Sequence, residues 1–431
     1  MNSVFVTLLA GIAGSVLAQP TSAADAVKNK ENVLYSFCSQ ANCADGANPV
    51  ASLTDVNGIL YGTTSVGGVA GCKGYGCGTV FSVDPNTGVE NVLYSFCSQA
   101  KCADGWGPEA SLTSMNGMLY GTTAAGGTYD YGTAFSINPI TGTETVLHSF
   151  CSQDNCTDGQ QPLSGLVNVK GKLYGTTLYG GANCGDSILC GTVFALDPNT
   201  GAETVVYSFC SQSNCFDGAN PAAGLINVKG ALYGTTDLGG KWEGGTAFSL
   251  DEKSGVEKVL YSFCSRENCT DGGNPQADLV DVKGTLYGTT PYGGANCQSS
   301  GGCGTVFAVD ANTGAETVLY SFGNQQNATD GASPYAGVLD VKGLLYGTTA
   351  YGGANCQGSG GCGTVFALDP NTGGETVAYS FCSQESCIDG ANPSAALIAV
   401  NHNLYSTTGN GGVAGCYGSG CGTVFVLRKR R

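Results

Sequence analysis

Short segments in which apolar and polar residues alternate recur along the whole chain, separated by turns rich in Gly, Asn, Asp and Pro. A representative stretch contains four of them, at 205–209, 223–228, 231–236 and 245–250. They are rich in Val, Tyr, Phe and Thr, which favour strands, and the two-residue turn Lys229-Gly230 is typical of a tight hairpin. No segment shows helical periodicity with caps. The pattern predicts units of four short antiparallel strands.

The four-strand unit occurs seven times. A Y/H-S-F tripeptide starts each unit, at Tyr35, Tyr94, His148, Tyr207, Tyr261, Tyr320 and Tyr379. The Tyr of an L-Y-G/S-T-T motif always follows 26 residues later, and the Phe of a G-T-V/A-F motif follows that Tyr by 20 residues in five units and by 15 in two. All variation in length therefore lies between these last two motifs.

Seven such units predict an all-β fold, a seven-bladed β-propeller of four-stranded antiparallel blades. The chain opens with one YSF strand and ends six residues after its last GTVF motif, before another YSF strand could form. We therefore predict that the N-terminal strand completes the last blade and closes the ring. A solenoid is the alternative, but it would need atypical capping units at both ends, which the sequence does not show.

The run LYGTT..GG....GTVF.DP.TG.E.VLYSF, followed by DG..P.A.L, resembles the GloVer tandem repeats of exported bacterial proteins across residues 31–427. The resemblance implies a secreted or surface propeller and implies no particular activity. The chain departs from the family pattern at its end, Arg428-Lys429-Arg430-Arg431, where members often carry a sorting anchor, and in links expanded to CSQ..C.DG.

The N-terminus indicates export. Residues 4–18 are uncharged and apolar and end in Val16-Leu17-Ala18, as before a signal-peptidase site. We expect a signal peptide at 1–18, a linker at 19–30, a single propeller at 31–427 and a basic tail at 428–431. The protein would then be secreted or on the cell surface, periplasmic or extracellular, with no transmembrane segment. Its formal charge of −16 argues against nucleic acid as a partner, and we expect a monomer.

The 22 cysteines form eleven pairs within short loops. Six pairs follow YSF: Cys38/Cys43, Cys97/Cys102, Cys151/Cys156, Cys210/Cys215, Cys264/Cys269 and Cys382/Cys387. Five pairs precede GTVF: Cys72/Cys77, Cys184/Cys190, Cys297/Cys303, Cys356/Cys362 and Cys416/Cys421. Cysteines are lost in pairs, since unit six lacks the first kind and units two and four lack the second. In an exported protein this predicts local disulfides; zinc is less favoured, because its structural sites use closer spacing and the chain has only two His.

Both kinds of cysteine loop open on the same side of an up-and-down blade. We call this side the elaborated face and the opposite side, with its short turns, the plain face. Each unit also places an Asp-Gly-x-x-Pro motif on the elaborated face. Its Asp either caps its own turn, which we favour because the use is identical in every unit, or belongs to a ring of cation ligands. These residues are Asp45, Asp104, Asp158, Asp217, Asp271, Asp330 and Asp389.

Four aromatic residues break the sevenfold pattern on this face. Trp106 and Trp242 are the only tryptophans, both in the two short-loop units, and Tyr129 and Tyr131 lie in the short loop of unit two. They either stack on a sugar ring or anchor a protein ligand, or they cover loop interiors left empty by the missing disulfides. The sequence leaves both interpretations open.

We therefore expect a non-catalytic secreted propeller whose elaborated face binds an extracellular carbohydrate or protein, without a metal or other cofactor. One alternative is a glycan-active hydrolase or lyase with carboxylates at the mouth of the central tunnel; another is a structural cell-surface protein. No Ser/His/Asp or Cys/His set can be assembled. An asymmetric polar cluster in the tunnel would favour an enzyme, and near sevenfold regularity would favour the non-catalytic role.

Overall fold

The computed structural model describes residues 29–68, 76–184, 189–296, 303–356, 362–413 and 420–429. Their 28 strands form seven four-stranded antiparallel sheets, each one blade of a propeller. In six of the blades, strand order follows the chain from the axis outward, and the innermost strands of successive blades contact one another around the axis. The predicted seven-bladed propeller is confirmed.

The innermost strands are β2 (Thr54–Val56), β6 (Thr113–Met115), β10 (Val167–Val169), β14 (Ile226–Val228), β18 (Val280–Val282), β22 (Leu339–Val341) and β26 (Ile398–Val400). The second strands are β3 (Ile59–Thr64), β7 (Met118–Thr123), β11 (Lys172–Thr177), β15 (Ala231–Thr236), β19 (Thr285–Thr290), β23 (Leu344–Thr349) and β27 (Asn403–Thr408). The third strands are β4 (Thr79–Val83), β8 (Thr133–Ile137), β12 (Thr192–Leu196), β16 (Thr246–Asp251), β20 (Thr305–Asp310), β24 (Thr364–Leu368) and β28 (Thr423–Lys429).

The outermost strands are β5 (Glu90–Ser95), β9 (Glu144–Ser149), β13 (Glu203–Ser208), β17 (Glu257–Ser262), β21 (Glu316–Ser321), β25 (Glu375–Ser380) and, in blade seven, β1 (Asn29–Ser36). Each outermost strand leads into a three-residue 3-10 turn: Ala41–Cys43, Ala100–Cys102, Asp154–Cys156, Ser213–Cys215, Glu267–Cys269, Gln326–Ala328 and Glu385–Cys387.

The ring closes through its first and last strands. β1 pairs antiparallel with β28, from Asn29 opposite Lys429 to Ser36 opposite Thr423, with one bulge. Blade seven therefore contains strands from both ends of the chain, as predicted. This pairing leaves no unpaired blade edge at the join, which is how propellers protect their sheet edges.

The core lies between blades and is built from the repeat motifs. Phe37 of the first YSF motif and Phe81 of the first GTVF motif are fully buried and meet edge to face, with ring centroids 4.9 Å apart. The same contact recurs between other neighbouring blades. In blade one this packing favours Gly in LYGTT, because a Cβ at Gly62 would lie 2.6 Å from the ring of Phe81. Glycine here gives the aromatic ring its space.

The paired threonines of LYGTT have separate roles. In blade one, Thr64 Oγ1 lies 2.8 Å from Thr79 Oγ1 of the adjacent strand. Thr63 donates across to the carbonyl oxygen of Ala110 in the next blade, at 3.1 Å. Both hydroxyls are buried, so these bonds satisfy polar groups that would otherwise destabilise the core. One threonine therefore holds the blade together and the other joins it to its neighbour.

The innermost strand of blade four is shorter than the sequence predicts. It spans Ile226–Val228, whereas residues 223–225 precede it as irregular backbone. The backbone groups there bond to neighbouring blades: Thr176 donates to the carbonyl oxygen of Ala223 at 3.0 Å, and the amide of Gly224 donates to Asp278 at 2.6 Å. These contacts replace the ladder of a sheet at the axis.

Candidate functional site

Disulfide bonds brace the loops of the elaborated face. Eight described bonds each close a loop within a single connection, joining Cys38–Cys43, Cys97–Cys102, Cys151–Cys156, Cys184–Cys190, Cys210–Cys215, Cys264–Cys269, Cys356–Cys362 and Cys382–Cys387. No cysteine in the described part of the chain is free. The disulfides expected of an exported protein are thus present.

Three further expected pairs lie only partly in the described residues. Their first cysteines, Cys72, Cys297 and Cys416, fall outside the described ranges. Their second cysteines are buried and disulfide-bonded: Cys77, Cys303 and Cys421. The bonded state of these three cysteines agrees with the expected local disulfides, whereas the partner of each one stays a prediction.

Cysteine sulfurs approach one another in two places. Cys77 lies within 4.8 Å of the Cys97–Cys102 pair, and Cys421 lies equally near the Cys38–Cys43 pair. All of these cysteines are disulfide-bonded. Because zinc binds thiolates, the two groups offer it no ligands in this state.

The Asp of each Asp-Gly-x-x-Pro motif caps the loop before it. Asp217 accepts hydrogen bonds from the amides of Ser211 and Gln212, at 2.9 and 3.2 Å, and from the Ser211 hydroxyl. The hydroxyl of Tyr207 also donates to it, at 2.8 Å. All seven Asp side chains are fully buried. The geometry therefore turns these carboxylates inward, onto their own loops, instead of toward solvent.

A glutamate from the following blade lies beside each Tyr–Asp pair, and we call the resulting Tyr–Asp–Glu group a seam. In the seam between blades three and four, the pKa of Glu257 is raised to about 8. Burial is the larger cause and the negative charge of Asp217 the smaller one, while a hydrogen bond from Tyr207 acts in the opposite direction. Its Oε1 is buried with no hydrogen-bond partner among the described residues. The pKa is raised to about 7 or 8 in all seven seam glutamates: Glu31, Glu90, Glu144, Glu203, Glu257, Glu316 and Glu375.

Two seams depart from this pattern. Between blades two and three, His148 replaces the Tyr, and its Nε2 lies 3.3 Å from Asp158 Oδ2. Between blades four and five, the guanidinium of Arg266 contacts Glu316 at 2.6 Å. Both substitutions keep a polar contact inside the seam, so its architecture persists in all seven positions.

The four aromatic residues singled out in the sequence are exposed but do not form one cluster. Trp106, Tyr129, Tyr131 and Trp242 are between 38% and 49% exposed. The first three belong to blade two and Trp242 to blade four, and no ring contact joins any of them to another within the described ranges. Trp242 has a cation as its neighbour, because the Nζ of Lys241 lies 5.0 Å from the centroid of its ring.

Sequence reasoning missed three further exposed aromatic residues of the elaborated face. One of them, Phe216, is 43% exposed and directly follows Cys215 in the loop after the fourth YSF motif. Tyr292 and Tyr351 are 37% and 46% exposed and follow the LYGTT motifs of blades five and six. The ring of Tyr292 lies 6.5 Å from that of Tyr335 and nearly perpendicular to it, with the hydroxyl oxygens 3.4 Å apart. The available signal was positional: after LYGTT, the second residue is Tyr in blades three, five and six and a smaller side chain elsewhere.

A cavity of about 140 Å³ lies on the propeller axis. It is lined in every blade by residues that follow the proline of Asp-Gly-x-x-Pro, and we call it the channel mouth. The first of these residues is Val50, Glu109, Leu163, Ala222, Gln276, Tyr335 or Ser394. The third is Ser52, Ser111, Gly165, Gly224, Asp278, Gly337 or Ala396. The backbone repeats sevenfold here, but the side chains do not.

Blade five places two polar side chains, Gln276 and Asp278, in the channel mouth. Gln276 donates to Asp237 Oδ1 at 3.1 Å, and Asn274 donates to the carbonyl oxygen of Asp237 at 2.9 Å. Asp278 Oδ1 accepts the Gly224 amide at 2.6 Å. Desolvation by the surrounding protein raises the pKa of Asp237 and of Asp278, although the Asp278 side chain stays exposed to the cavity. Two carboxylates, those of Asp237 and Asp278, are thus held by amide groups at the junction of blades four and five.

Glu109 enters the same cavity from blade two. Its side chain is accessible to solvent, but the protein around it raises the pKa of its carboxyl. The channel mouth therefore contains an asymmetric polar cluster, which is the arrangement that we expected of an enzyme and not of a regular, non-catalytic ring. Ligand binding by unlike residues explains the asymmetry equally well.

Comparison with known sequences identifies one family. The sequence model described as the Gloeobacter/Verrucomicrobia repeat matches three overlapping ranges, 23–189, 70–301 and 185–425. These cover nearly the whole repeat region. No curated protein sequence matches the chain significantly.

Solved structures share the propeller fold at low identity. One similar structure is named as the extracellular domain of a hybrid two-component system from B. thetaiotaomicron. The two align with a TM-score of 0.56 at 10% sequence identity, and the alignment covers 94% of this chain and 40% of that one. Another is quinohemoprotein alcohol dehydrogenase from Comamonas testosteroni, with a TM-score of 0.50 and 14% sequence identity. That alignment covers 94% of this chain and 77% of the dehydrogenase chain. The chain spans two fifths of the first protein's length, and both likenesses concern the fold alone. Among the described residues, no helix has the length and apolar character needed to cross a membrane.

Proposed function

The chain belongs to the Gloeobacter/Verrucomicrobia repeat family, and we propose that this member is an exported, non-catalytic propeller that binds an extracellular carbohydrate with its elaborated face. Loops on a rigid scaffold are where binding residues usually lie. Buried Asp caps in every blade and disulfides in most of the loops hold the elaborated face, so that it loses little conformational freedom when a ligand binds. The disulfides and the predicted signal peptide support a secreted or cell-surface location.

The observation that carries this proposal is the set of exposed aromatic rings on the elaborated face. Trp106, Tyr129, Tyr131, Trp242, Tyr292 and Tyr351 all lie in its loops and are at least 37% exposed. Aromatic rings with a polar edge suit the apolar faces and hydroxyls of sugars. Trp106 and Tyr131 have no aromatic counterpart at the equivalent position of any other blade, which a purely structural role in seven equivalent loops does not require.

A glycan array with the purified, oxidised protein tests the proposal. The wild type is compared with the double variant Trp106→Ala/Trp242→Ala, and the thermal unfolding of both is recorded. We expect the variant to lose binding while its melting temperature stays close to that of the wild type. If it loses stability and keeps binding, these rings cover loop interiors and the proposal is wrong for them. Binding of no glycan at all would favour a protein ligand.

A glycan-active hydrolase or lyase is the second candidate, because carboxylates with raised pKa values lie in the channel mouth. A raised pKa suits a general acid. We favour binding because Asp237 and Asp278 are each bonded to an amide, while neither bonds to a second titratable group within the described ranges. Appearance of new reducing ends in any glycan that the array identifies would reverse this preference.

A further inference from the structure

The channel mouth is acidic. Its twenty lining residues include the carboxylates of Glu109 and Asp278, whereas none of the twenty is Lys, Arg or His. Inside a narrow cavity with protein walls, such charges act more strongly than at an open surface. The site therefore disfavours anionic ligands, such as uronic acids or phosphates, and attracts a cationic group.

Asp278 is positioned by glycines in both neighbouring blades. Its Oδ1 accepts the amide of Gly224 at 2.6 Å, and a Cβ at Gly224 would lie 2.9 Å from that same oxygen. On the other side, a Cβ at Gly337 would collide with the backbone oxygen of Asp278. The glycines give Asp278 the space to reach the axis in one orientation. Its Oδ2 accepts no hydrogen bond in the described part of the chain, so it is available to a ligand.

Groups that suit a sugar surround Asp278. Gln276, two residues earlier, is held by Asp237 through its Nε2 and keeps its side-chain carbonyl oxygen as an acceptor. Tyr335, in the next blade, also lines the cavity, and its ring lies edge to face with that of Tyr292. Hydroxyl groups and the apolar face of a sugar ring pair well with such side chains.

We propose that the channel mouth is a binding site for a glycan carrying a free amino group, whose ammonium contacts Asp278 and whose ring lies against Tyr335. This inference rests on the proposed function and names its ligand class. The cavity of about 140 Å³ is smaller than pockets for drug-sized ligands, which span roughly 300–1,000 Å³. It therefore holds one terminal amino-sugar unit, while the exposed rings of the elaborated face remain for the rest of the glycan.

Isothermal titration calorimetry with three oligosaccharides of equal length tests the proposal: glucosamine, N-acetylglucosamine and galacturonic acid oligomers. We expect the full-length oxidised protein to bind the glucosamine oligomer most tightly, and added salt to weaken that binding. Asp278→Asn should weaken it about ten- to one-hundredfold, since a hydrogen bond to a charged group contributes about 1.5–3 kcal/mol. Asp154→Asn is the matched control, because it removes one exposed carboxylate from a disulfide loop of the same face.

Each result bears on a different claim. Thermal unfolding first establishes that both variants fold. Equal affinity for the amino and acetylated oligomers, unchanged by Asp278→Asn, would overturn the amino-sugar site and leave the elaborated face as a glycan-binding surface. Tighter binding of the galacturonic acid oligomer, or equal losses in both variants, would also overturn it. If the wild type binds none of the three, the site is wrong, and the array with the tryptophan variant decides the proposed function separately.

Discussion

The seams and the channel mouth differ in how closely they follow the repeat. Each seam repeats one arrangement of a YSF tyrosine or histidine, a capping Asp and a buried Glu, and even His148 preserves the contact to Asp158. The channel mouth repeats only the backbone, and its side chains change from Val50 to Glu109 to Tyr335. Equivalent use in every blade indicates a structural role, whereas unlike residues at equivalent positions indicate a role that only one place in the ring performs.

The comparison predicts a large effect of pH on stability. We expect the free energy of unfolding to fall by several kcal/mol between pH 5 and pH 8. The seam glutamates keep a proton in the folded chain up to a pKa of about 7 or 8, but lose it near 4.5 when unfolded. The folded state therefore binds more protons across this window, and its stability falls as the pH rises. Urea unfolding at several pH values measures the slope.

A single seam can be separated from the others with Glu257→Gln. A pKa difference of one is worth about 1.4 kcal/mol, so Glu257 contributes up to about 4 kcal/mol to the fall in the free energy of unfolding between pH 5 and pH 8. The amide cannot ionise, so the variant should match the wild type near pH 5 and exceed its stability near pH 8. Identical slopes for the two proteins would mean that Glu257 is ionised in the folded chain, which would remove the basis for treating the seams as proton-binding.

Removal of a seam Asp should cost more than removal of a similar cap on the plain face. Asp217→Ala leaves two backbone amides and two hydroxyls without their acceptor in a buried place, and we expect a loss of about 3 kcal/mol. Asp251→Ala removes a cap with comparable bonds to Lys253 and Ser254, but that turn is exposed and water replaces the carboxylate. A loss of about 1 kcal/mol is expected there.

Chemical unfolding of both variants beside the wild type measures this difference. Equal losses would show that burial does not increase the stability that a capping Asp contributes. The Asp of a seam would then act like the Asp of any exposed turn. A larger loss from Asp251→Ala would contradict the expectation that the buried cap of Asp217 contributes more stability than the exposed cap of Asp251.

Much of the fold can be predicted from the sequence, because the spacing of the motifs determines the number and the order of the strands. The invariant distance from YSF to LYGTT predicts the blades, and the single strand before the first complete unit predicts the closure of β1 on β28. The seam glutamates could not be predicted in this way. Nothing in the sequence distinguishes Glu257 from any other charged residue at the start of a strand. Only the assembly of adjacent blades places it beside Asp217. The same holds for Asp278, whose partner Gly224 lies 54 residues away.

The smallest expected effect on stability comes from the channel mouth itself. Asp278→Asn should leave the free energy of unfolding at pH 7 unchanged or raise it slightly, because desolvation disfavours the ionised carboxyl and the amide oxygen can still accept from Gly224. Chemical unfolding beside the seam variants measures this. A loss comparable to that of Asp217→Ala would mean that Asp278 holds blades four and five together. If its removal costs no stability, packing does not account for an acidic residue at this one position of seven, and the remaining reason for it is a ligand.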